Sequence, residues 1–405
     1  MRAVVVGVGD ELLSGVVVNT NAATIGQMLL AAGVEVARSV CVGDDEDAIV
    51  DVLRDAARLA EVVVVTGGLG PTHDDRTREA FARLLGSRLV RDEAIVEEIR
   101  ERFRSFGREM PGSNARQADI PEGATAIPNA RGTAPGIRCE LDGTLLYAIP
   151  GVPREARQMV GESILPQLAS RTGSLNPVRT RTLRCCGMPE SEIAERLSDL
   201  ASAGDPVLAF LPGGGEVRLR FVTRAPDGPD RLARAESLVR ERLGHVVFAV
   251  DEETLEEAVG RLLSGRGLTV AVAESCTAGL VAGRIANVAG SSGWLRGGVV
   301  SYATEVKSSV LGVDEDLLDE PVSDAVGEAM ARGVRERLGA DIGLAVTCSA
   351  GPDPQGGAPV GTVVLAVSDS QGDVSRVVRV PGDRTQVRDF AVTFALNMLR
   401  LHVIG

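Results

Sequence analysis

One side chain, Lys307, carries the strongest chemical signal in this 405-residue sequence. Lysine and arginine together number 43, and Lys307 is the only lysine, so the other 42 basic residues are arginine. Arginine stays protonated and cannot serve as a base. A lysine desolvated inside a protein can become neutral and accept a proton. Composition alone leaves open whether one surface lysine survived by chance, so the position of Lys307 has to decide.

A candidate nucleophile, Ser275, occupies the turn between a strand and a helix. The segment AESCTAG follows an apolar strand at 268–273 and precedes an apolar helix at 280–289. Such a turn exposes a side chain at the edge of a sheet and directs helix N-terminal amides at a ligand. The alternative is that Ser275 or Thr277 only caps the helix, which is common for these residue types.

Lys307 itself lies in a second turn of the same kind. In VSYATEVKSSVLGV, a strand at 299–302 ends at Tyr302 and a helix beginning at Thr304 carries Lys307. Neighbouring parallel strands would bring Tyr302 and Lys307 beside Ser275, where a neutral lysine could take the serine proton as general base. Tyr302 could relay a proton or hold substrate, or it could be an ordinary half-buried strand aromatic.

A third segment, SAGPDPQGGAPVGTV, lies between apolar strands at 342–347 and 362–367. Its glycines and prolines predict a loop whose backbone approaches a ligand closely, a phosphate for example, although tight turns alone would explain the same composition. The substrate-binding candidates in this region are Thr277, Gly279, Ser349, Gly351 and Gly361.

The N-terminal region has glycine-rich turns of its own, GDELLSG at 9–15 and TGGLGPTHDDRT at 66–77. Such turns suit a phosphate held by backbone amides, with a divalent cation bridging the phosphate to Asp74 or Asp75. Helix capping would explain either aspartate singly but not several such loops at strand ends. The other binding candidates in these turns are Asp10, Glu11, Ser14, Gly67, Gly68, Gly70 and Thr77.

Continuous valine runs alternating with amphipathic helices predict the elements that position these residues. Residues 1–170 and 251–405 read as two α/β domains with largely parallel sheets, and 171–250 as a small α+β domain with a helix from Pro189 to Leu200. In parallel sheets ligands bind beyond the carboxyl ends of the strands. We therefore expect both candidate sites at such edges.

Charge and composition exclude several classes of protein. A net charge of −13 disfavours nucleic acid and anionic membranes as partners. The N-terminus has no signal-peptide pattern and no apolar run is long enough to span a bilayer, so we expect a soluble cytoplasmic protein. The six cysteines form no C-x-x-C pair, so neither structural zinc nor a disulfide framework is expected. Only three histidines occur, in separate regions, which disfavours a Ser-His-Asp triad.

The three C-terminal motifs, AESCTAG, VSYATEVKSSVLGV and SAGPDPQGGAPVGTV, resemble the C-terminal domain of the competence/damage-inducible CinA family. That domain is similar to nicotinamide mononucleotide deamidase, which needs no cofactor. The resemblance implies a serine–lysine pair at Ser275 and Lys307 with Tyr302 beside them. The chain departs from the family pattern at Ala278, where a glycine is usual, and in the longer GPDPQGG loop containing Asp353.

The N-terminal region resembles the molybdopterin-binding (MoaB/MogA-like) domain of the same family, and 171–250 its KH-like connector. The resemblance implies a metal-dependent ADP-ribose pyrophosphatase and a homodimer. Asp75 and Thr77 match the Asp-x-Thr pattern of the fold, and other matching pocket positions are Asp10, Glu11, Asn114 and Gln117. The family commonly has other residues at His73 and Arg76.

These observations predict a bifunctional enzyme of pyridine-nucleotide salvage. It would hydrolyse nicotinamide mononucleotide to nicotinate mononucleotide and ammonia, and ADP-ribose to AMP and ribose 5-phosphate. The alternative is a non-catalytic molybdopterin- or nucleotide-binding scaffold or regulator. A nucleic-acid role for the KH-like region is encouraged by the arginines of EVRLRFVTR but opposed by the acidic charge and the lack of an evident Gly-x-x-Gly loop.

Overall fold

The computed structural model describes residues 1–172 and 178–405. The chain divides into two compact units, Met1–Arg179 and Thr180–Gly405. None of the described helices is long and apolar enough to cross a membrane.

The first unit contains eight strands and seven α-helices among the described residues. The strands are β1 (Arg2–Val8), β2 (Glu35–Val42), β3 (Val62–Thr66), β4 (Leu89–Arg91), β5 (Asp119–Pro121), β6 (Thr125–Ile127), β7 (Gly136–Leu141) and β8 (Thr144–Ile149). The helices are α1 (Asp10–Leu13), α2 (Thr20–Ala31), α3 (Glu46–Leu59), α4 (Thr77–Leu84), α5 (Glu93–Ser105), α6 (Pro153–Met159) and α7 (Leu165–Thr172).

The main sheet of this unit has the order β2-β1-β3-β8-β7-β6. Strands β2, β1, β3 and β8 are parallel, and β7 and β6 are antiparallel. Successive residues of β1 face opposite cores: Val4 and Val6 pack in one buried cluster, Ala3 and Val5 in the other. A strand buried on both faces has no polar alternation, which explains the continuous valine runs.

The second unit contains nine strands and eight α-helices among the described residues. The strands are β9 (Arg179–Cys186), β10 (Val207–Gly213), β11 (Glu216–Thr223), β12 (Val247–Val250), β13 (Val270–Glu274), β14 (Leu295–Val300), β15 (Ile342–Cys348), β16 (Thr362–Asp369) and β17 (Gly372–Arg379). The helices are α8 (Glu190–Arg196), α9 (Ser198–Ser202), α10 (Gly228–Leu243), α11 (Leu255–Arg266), α12 (Leu280–Ala286), α13 (Thr304–Leu311), α14 (Asp324–Leu338) and α15 (Arg384–Ile404).

These strands form two sheets, ordered β10-β11-β9-β12 and β14-β13-β15-β16-β17. In the larger sheet β14, β13 and β15 are parallel, and β16 and β17 are antiparallel. The predicted class of α/β domains with largely parallel sheets and a small α+β part is confirmed. The two sheets share a buried cluster, because Cys186 and Phe248 pack with Leu255 and Leu399.

Two predicted elements differ from the structure. The strand expected at 299–302 is β14 and ends at Val300, so Tyr302 lies in the loop before α13 rather than in a strand. The single helix expected from Pro189 to Leu200 is broken into α8 and α9 at Leu197. Leu197, between the two helices, is fully buried and has the non-helical backbone angles φ −114° and ψ 16°.

The expectation that the chain has no disulfide is wrong for one pair. Cys276 and Cys348 are bonded, with their Cα atoms 5.7 Å apart. They are 72 residues apart in sequence, and spacing gave no hint of the pairing. The adjacent parallel strands β13 and β15 bring the two cysteines together, because one follows the end of β13 and the other ends β15.

Candidate active site

The carboxyl ends of three parallel strands meet at Ser275. The Ser275 amide donates to the Val346 carbonyl of β15 at 2.9 Å, and the Ser301 amide donates to the Glu274 carbonyl at 2.8 Å. Thr347 therefore lies opposite Ser275 in the continuing register of β13 and β15. The predicted position of the candidate nucleophile at a strand end is the observed one.

Glu274 holds the turn that carries Ser275. Its side chain is 1% exposed, and its carboxylate accepts from the amides of Gly279, Val281 and Ala282 at 2.8–3.0 Å. These are amides at the start of α12 that lack helical partners. A carboxylate at that end is also favoured by the helix dipole. The cap thus comes from Glu274, and Ser275 makes no capping hydrogen bond among the described residues.

A cavity of about 190 Å³ opens at Ser275. Tyr302 lies on its wall, 55% exposed, and its hydroxyl accepts from Arg384 at 2.5 Å. Arg384 also donates to the Gly351 carbonyl at 2.7 Å. The other residues that line the cavity are Cys276, Cys348, Ala350, Asp353 and Gln355. A serine hydroxyl, a phenol and a guanidinium therefore share one small space.

Lys307, in α13, is 1% exposed and does not line this cavity. Its Nζ donates to the Pro321 carbonyl at 3.1 Å and to Thr347 Oγ1 at 3.4 Å. Burial lowers the pKa of Lys307 from its ordinary 10.5 to about 8. In the described part of the chain Lys307 makes no hydrogen bond to Ser275; Thr347 stands between the two as the shared neighbour.

Two predicted binding residues have unusual hydroxyls. Thr277 and Ser349 are fully buried, and within residues 1–172 and 178–405 neither side-chain hydroxyl finds a hydrogen-bond partner. The Ser349 carbonyl accepts from Gly361 at 2.7 Å. A Cβ at Gly361 would come within 2.2 Å of the Val380 carbonyl, so glycine is needed there for a close backbone approach. Gly351 lines the cavity, whereas Gly361 and Gly279 do not.

Sequence reasoning missed Arg384 and Glu274. Arg384 begins α15, far from the three motifs, and as one of 42 arginines it carried no signal. Glu274 was visible inside AESCTAG, and a carboxylate in the turn that leads into a predicted helix can satisfy the free amides at the helix start. Glu274 holds the turn before α12, and Arg384 lines the cavity.

The N-terminal unit has a larger cavity, about 510 Å³, at the carboxyl ends of β1 and β3. Of the predicted residues it is lined by Glu11, Gly67, Gly68, Gly70, Asp74, Asp75 and Gln117. Thr77 is fully buried and its hydroxyl donates to the Gly67 carbonyl at 2.8 Å, so it supports the loop from behind.

Other predicted residues of this unit lie around the cavity rather than in its wall. Asn114 donates to Gln117 at 3.2 Å, and Ser14 donates to the Glu11 carbonyl. Asp10 exchanges backbone-to-carboxylate hydrogen bonds with Asp44, which lines the cavity and whose pKa is raised by burial. Sequence reasoning missed Asp44.

Asp75 organises its own loop. One oxygen accepts from the Gly70 amide at 2.7 Å, and the other accepts from the amide and the hydroxyl of Thr72. Asp74 has no such network, and its pKa is lowered mainly by a hydrogen bond from Thr72. The described residues contain no group of three or more His, Cys, Asp or Glu side chains that could hold a metal ion by themselves. A preformed metal site at Asp74 and Asp75 is therefore absent from this part of the chain, and metal binding there stays a prediction.

Three family models match consecutive parts of the chain. Residues 4–170 match the probable molybdopterin binding domain, 180–249 the KH domain of damage-inducible protein CinA, and 252–403 the CinA C-terminal domain. The first and third matches contain the two candidate sites, and the second contains the smaller four-stranded sheet.

Curated relatives match over the full length. A CinA-like protein of Frankia casuarinae is 48% identical, with 100% of this chain and 97% of the relative covered. Putative competence-damage inducible proteins of Desulforamulus reducens and Symbiobacterium thermophilum are 41% and 43% identical, with 100% of this chain and 100% and 99% of the relatives covered. With this identity over all three domains, the chain belongs to the CinA family.

Proposed function

We propose that the C-terminal domain hydrolyses the carboxamide of nicotinamide mononucleotide, with Ser275 as nucleophile and Lys307 as general base. The observation that carries the proposal is the single lysine of the chain, which is buried, has its pKa lowered to about 8, and contacts Thr347, the residue opposite Ser275 in the sheet register. A base with a pKa near the working pH is the most effective kind.

The reaction follows from the groups at the cavity. Ser275 Oγ attacks the carboxamide carbon while Lys307 takes the hydroxyl proton, and the lysine then returns this proton to the departing ammonia. Water attacks the resulting acyl ester, again with Lys307 as base, and nicotinate mononucleotide is released as the Ser275 hydroxyl is restored. For the first step the lysine amine has to move from Thr347 towards Ser275, since catalytic hydrogen bonds commonly tighten only when substrate is bound.

Binding would divide between the cavity and its rim. A volume of about 190 Å³ is below the roughly 300–1,000 Å³ of typical ligand cavities, so only the nicotinamide part would enter. Arg384 is the cation at this cavity and would face the phosphate of the nucleotide. Tyr302, held by Arg384, would pack against the ring.

Ammonia release from nicotinamide mononucleotide tests the proposal. Lys307→Arg keeps the positive charge, and Lys307→Met keeps the approximate length of the side chain. Both variants remove the base. We expect the rate of each to fall by about two orders of magnitude or more. Ser309→Ala is the matched control, because Ser309 lies on the same helix, is exposed, and its side chain bonds only to the Glu305 carbonyl in the described structure. Retained turnover in the folded Lys307→Met protein would remove Lys307 from the mechanism.

For the N-terminal domain we propose hydrolysis of the diphosphate of ADP-ribose in the 510 Å³ cavity. Support comes from its glycine turn, whose residues Gly67, Gly68 and Gly70 line the wall at the strand ends. The described residues hold no metal chelate of their own, so a divalent ion would arrive with the diphosphate, whose charge it would neutralise. Asp75 keeps the turn in shape through its bonds to Gly70 and Thr72, whereas Asp74 lines the wall without such a network and would contact the metal ion.

Two substitutions separate these roles. Asp74→Asn should raise the metal concentration needed for AMP release and leave the thermal stability unchanged. In Asp75→Asn, the new side-chain NH₂ group would face a backbone amide of Gly70 or Thr72, which is also a donor. This variant should therefore abolish AMP release and also lower the stability of the unit. The alternative of a non-catalytic nucleotide or molybdopterin binder predicts calorimetric binding of ADP-ribose with no AMP formed at any metal concentration.

A further inference from the structure

The bond between Cys276 and Cys348 lies directly against the proposed nucleophile. Cys276 follows Ser275, and Cys348 lies between Thr347, which contacts Lys307, and Ser349, whose buried hydroxyl has no partner in the described structure. The disulfide therefore joins the turn that carries the nucleophile to the strand end that contacts the base.

Both cysteines line the cavity at Ser275, although they are only 6% and 2% exposed, so this cavity is the route by which a small molecule would reach the disulfide. Three of the four free cysteines are instead buried. Cys139, Cys185 and Cys186 are buried in apolar surroundings, which raises the pKa of each to about 12, so they ionise poorly and react slowly. Cys41 is partly exposed but belongs to the N-terminal unit.

We infer that Cys276 and Cys348 form a thiol–disulfide exchange site that sets the activity of the C-terminal domain, with the disulfide form as the active one. The inference rests on the proposed amidase function. In the oxidised form a covalent link fixes the Ser275 turn against Thr347. After reduction the two sulfurs have to separate to non-bonded contact in a tightly packed place, so the turn shifts away from Lys307.

The chemistry balances through a low-molecular-weight thiol, which is the reactant the site would take. A thiolate enters the cavity, attacks one sulfur of the pair, and leaves the other cysteine as a thiolate that takes a proton. A second thiol then attacks the mixed disulfide, which frees the first cysteine and releases the small molecule as its disulfide. Two protein thiols form, and two small thiols are oxidised. The reverse reaction uses the small-molecule disulfide as oxidant.

The test uses the full-length protein equilibrated in buffers of reduced and oxidised glutathione, with peptide mapping to measure the fraction of the bonded pair. We expect kcat for ammonia release to follow that fraction and to fall by about tenfold to a hundredfold on full reduction, the range typical of a small misplacement of reacting groups. The expected KM is nearly unchanged, because Arg384 and Gly351 stay in place. If the bond were only structural, its reduction would lower the stability of the protein but would not change kcat in this way.

Two variants control the assay. Cys276→Ser combined with Cys348→Ser should turn over at the rate of the reduced wild-type protein and ignore the glutathione ratio. Cys41→Ser should respond as the wild type does. Labelling of Ser275 by a fluorophosphonate supplies a readout independent of the substrate, and we expect it to slow on reduction.

The outcomes separate the two claims. If neither redox form releases ammonia, the proposed function fails, and the labelling rates still judge the disulfide. Equal ammonia release and equal labelling in both forms would overturn the inference and leave the amidase standing. Persistently free Cys276 and Cys348 in excess oxidised glutathione would also overturn it.

Discussion

At the scale of the residue, Lys307 lies in an environment that favours the neutral form of its amine. Its amine is surrounded by protein, meets the Pro321 carbonyl and the Thr347 hydroxyl, and has no carboxylate among its hydrogen-bond or ion-pair partners in the described structure. A charged amine without a counter-ion is expensive to bury, so the equilibrium moves towards the neutral form. An arginine at this position would keep its charge and could not act in the same way.

The lowered pKa predicts how the amidase responds to pH. The neutral amine is the active form, so kcat for ammonia release should rise with pH and level off above about pH 8, where Lys307 has lost its proton. Steady-state rates of ammonia release between pH 6 and pH 10 check this, and steps of about one pH unit are sufficient. A profile that is flat across this range would contradict a titrating base.

The same burial predicts that the fold is destabilised by its own base. The pKa of Lys307 is about 8 in the folded state and 10.5 ordinarily, so the unfolded chain binds the proton more tightly between these values. The free energy of unfolding therefore rises with pH across that window. Below about pH 8 the full penalty, roughly 3 kcal/mol, is present.

Lys307→Met should accordingly be more stable than the wild type near pH 7, by up to about 3 kcal/mol less the lost hydrogen bonds. The advantage should shrink as the pH approaches 10.5. Urea unfolding of both proteins at neutral and at high pH measures the difference. A less stable variant at neutral pH would mean that the Pro321 and Thr347 contacts outweigh the cost of desolvation.

At the scale of the element, the turn from β13 into α12 is the critical piece of the C-terminal site. Glu274 satisfies amides of the helix from a fully interior position, which leaves the Ser275 hydroxyl free for chemistry. The turn also requires backbone angles that side chains disfavour, since φ is 52° at Ala278 and 95° at Gly279. The glycine usual in the family at the first of these positions would adopt that angle without strain.

Ala278→Gly should therefore stabilise the protein, by up to about 1 kcal/mol after the entropy lost by glycine is subtracted. Thermal unfolding measures this. The matched control is Ala282→Gly, three residues into α12 with an ordinary helical backbone, which should destabilise by about 1 kcal/mol. If both substitutions destabilise equally, the left-handed angle at Ala278 carries no strain.

At the scale of the whole molecule, the two sheets of the second unit are joined by a common core. Cys186 and Phe248 from the smaller sheet pack in the same cluster as Leu255 and Leu399. Polar contacts follow the same boundary: Arg400 donates to the His245 carbonyl at 2.6 Å. The clusters of residues 3–168 include none of these side chains.

This arrangement predicts how the chain can be divided. A fragment of residues 180–405 should fold and release ammonia from nicotinamide mononucleotide at nearly the rate of the full chain. A fragment of residues 252–405 should have a lower Tm than the fragment of residues 180–405, because it exposes the apolar surface that Phe248 covers. Circular dichroism and the ammonia assay on both fragments check this. Equal Tm values would show that the common core contributes nothing to the stability of the C-terminal domain.

The sequence by itself determined most of the elements and singled out the groups that we propose to react. Valine runs and amphipathic helices are local patterns, so β13, which precedes Ser275, and β15, which contains Thr347, could be predicted from periodicity. A single lysine among 42 arginines is a chemical choice visible in composition. The family motifs then connected Ser275 with Lys307 and Tyr302.

Only the tertiary structure decided which distant groups share the cavity. Arg384 reaches Tyr302 from α15, and Cys348 reaches Cys276 across 72 residues. Their partners depend on strand order and helix packing, which no short-range pattern encodes. Burial depth was also decided there, because the pKa of Lys307 is lowered by the surrounding protein and not by its neighbours in sequence.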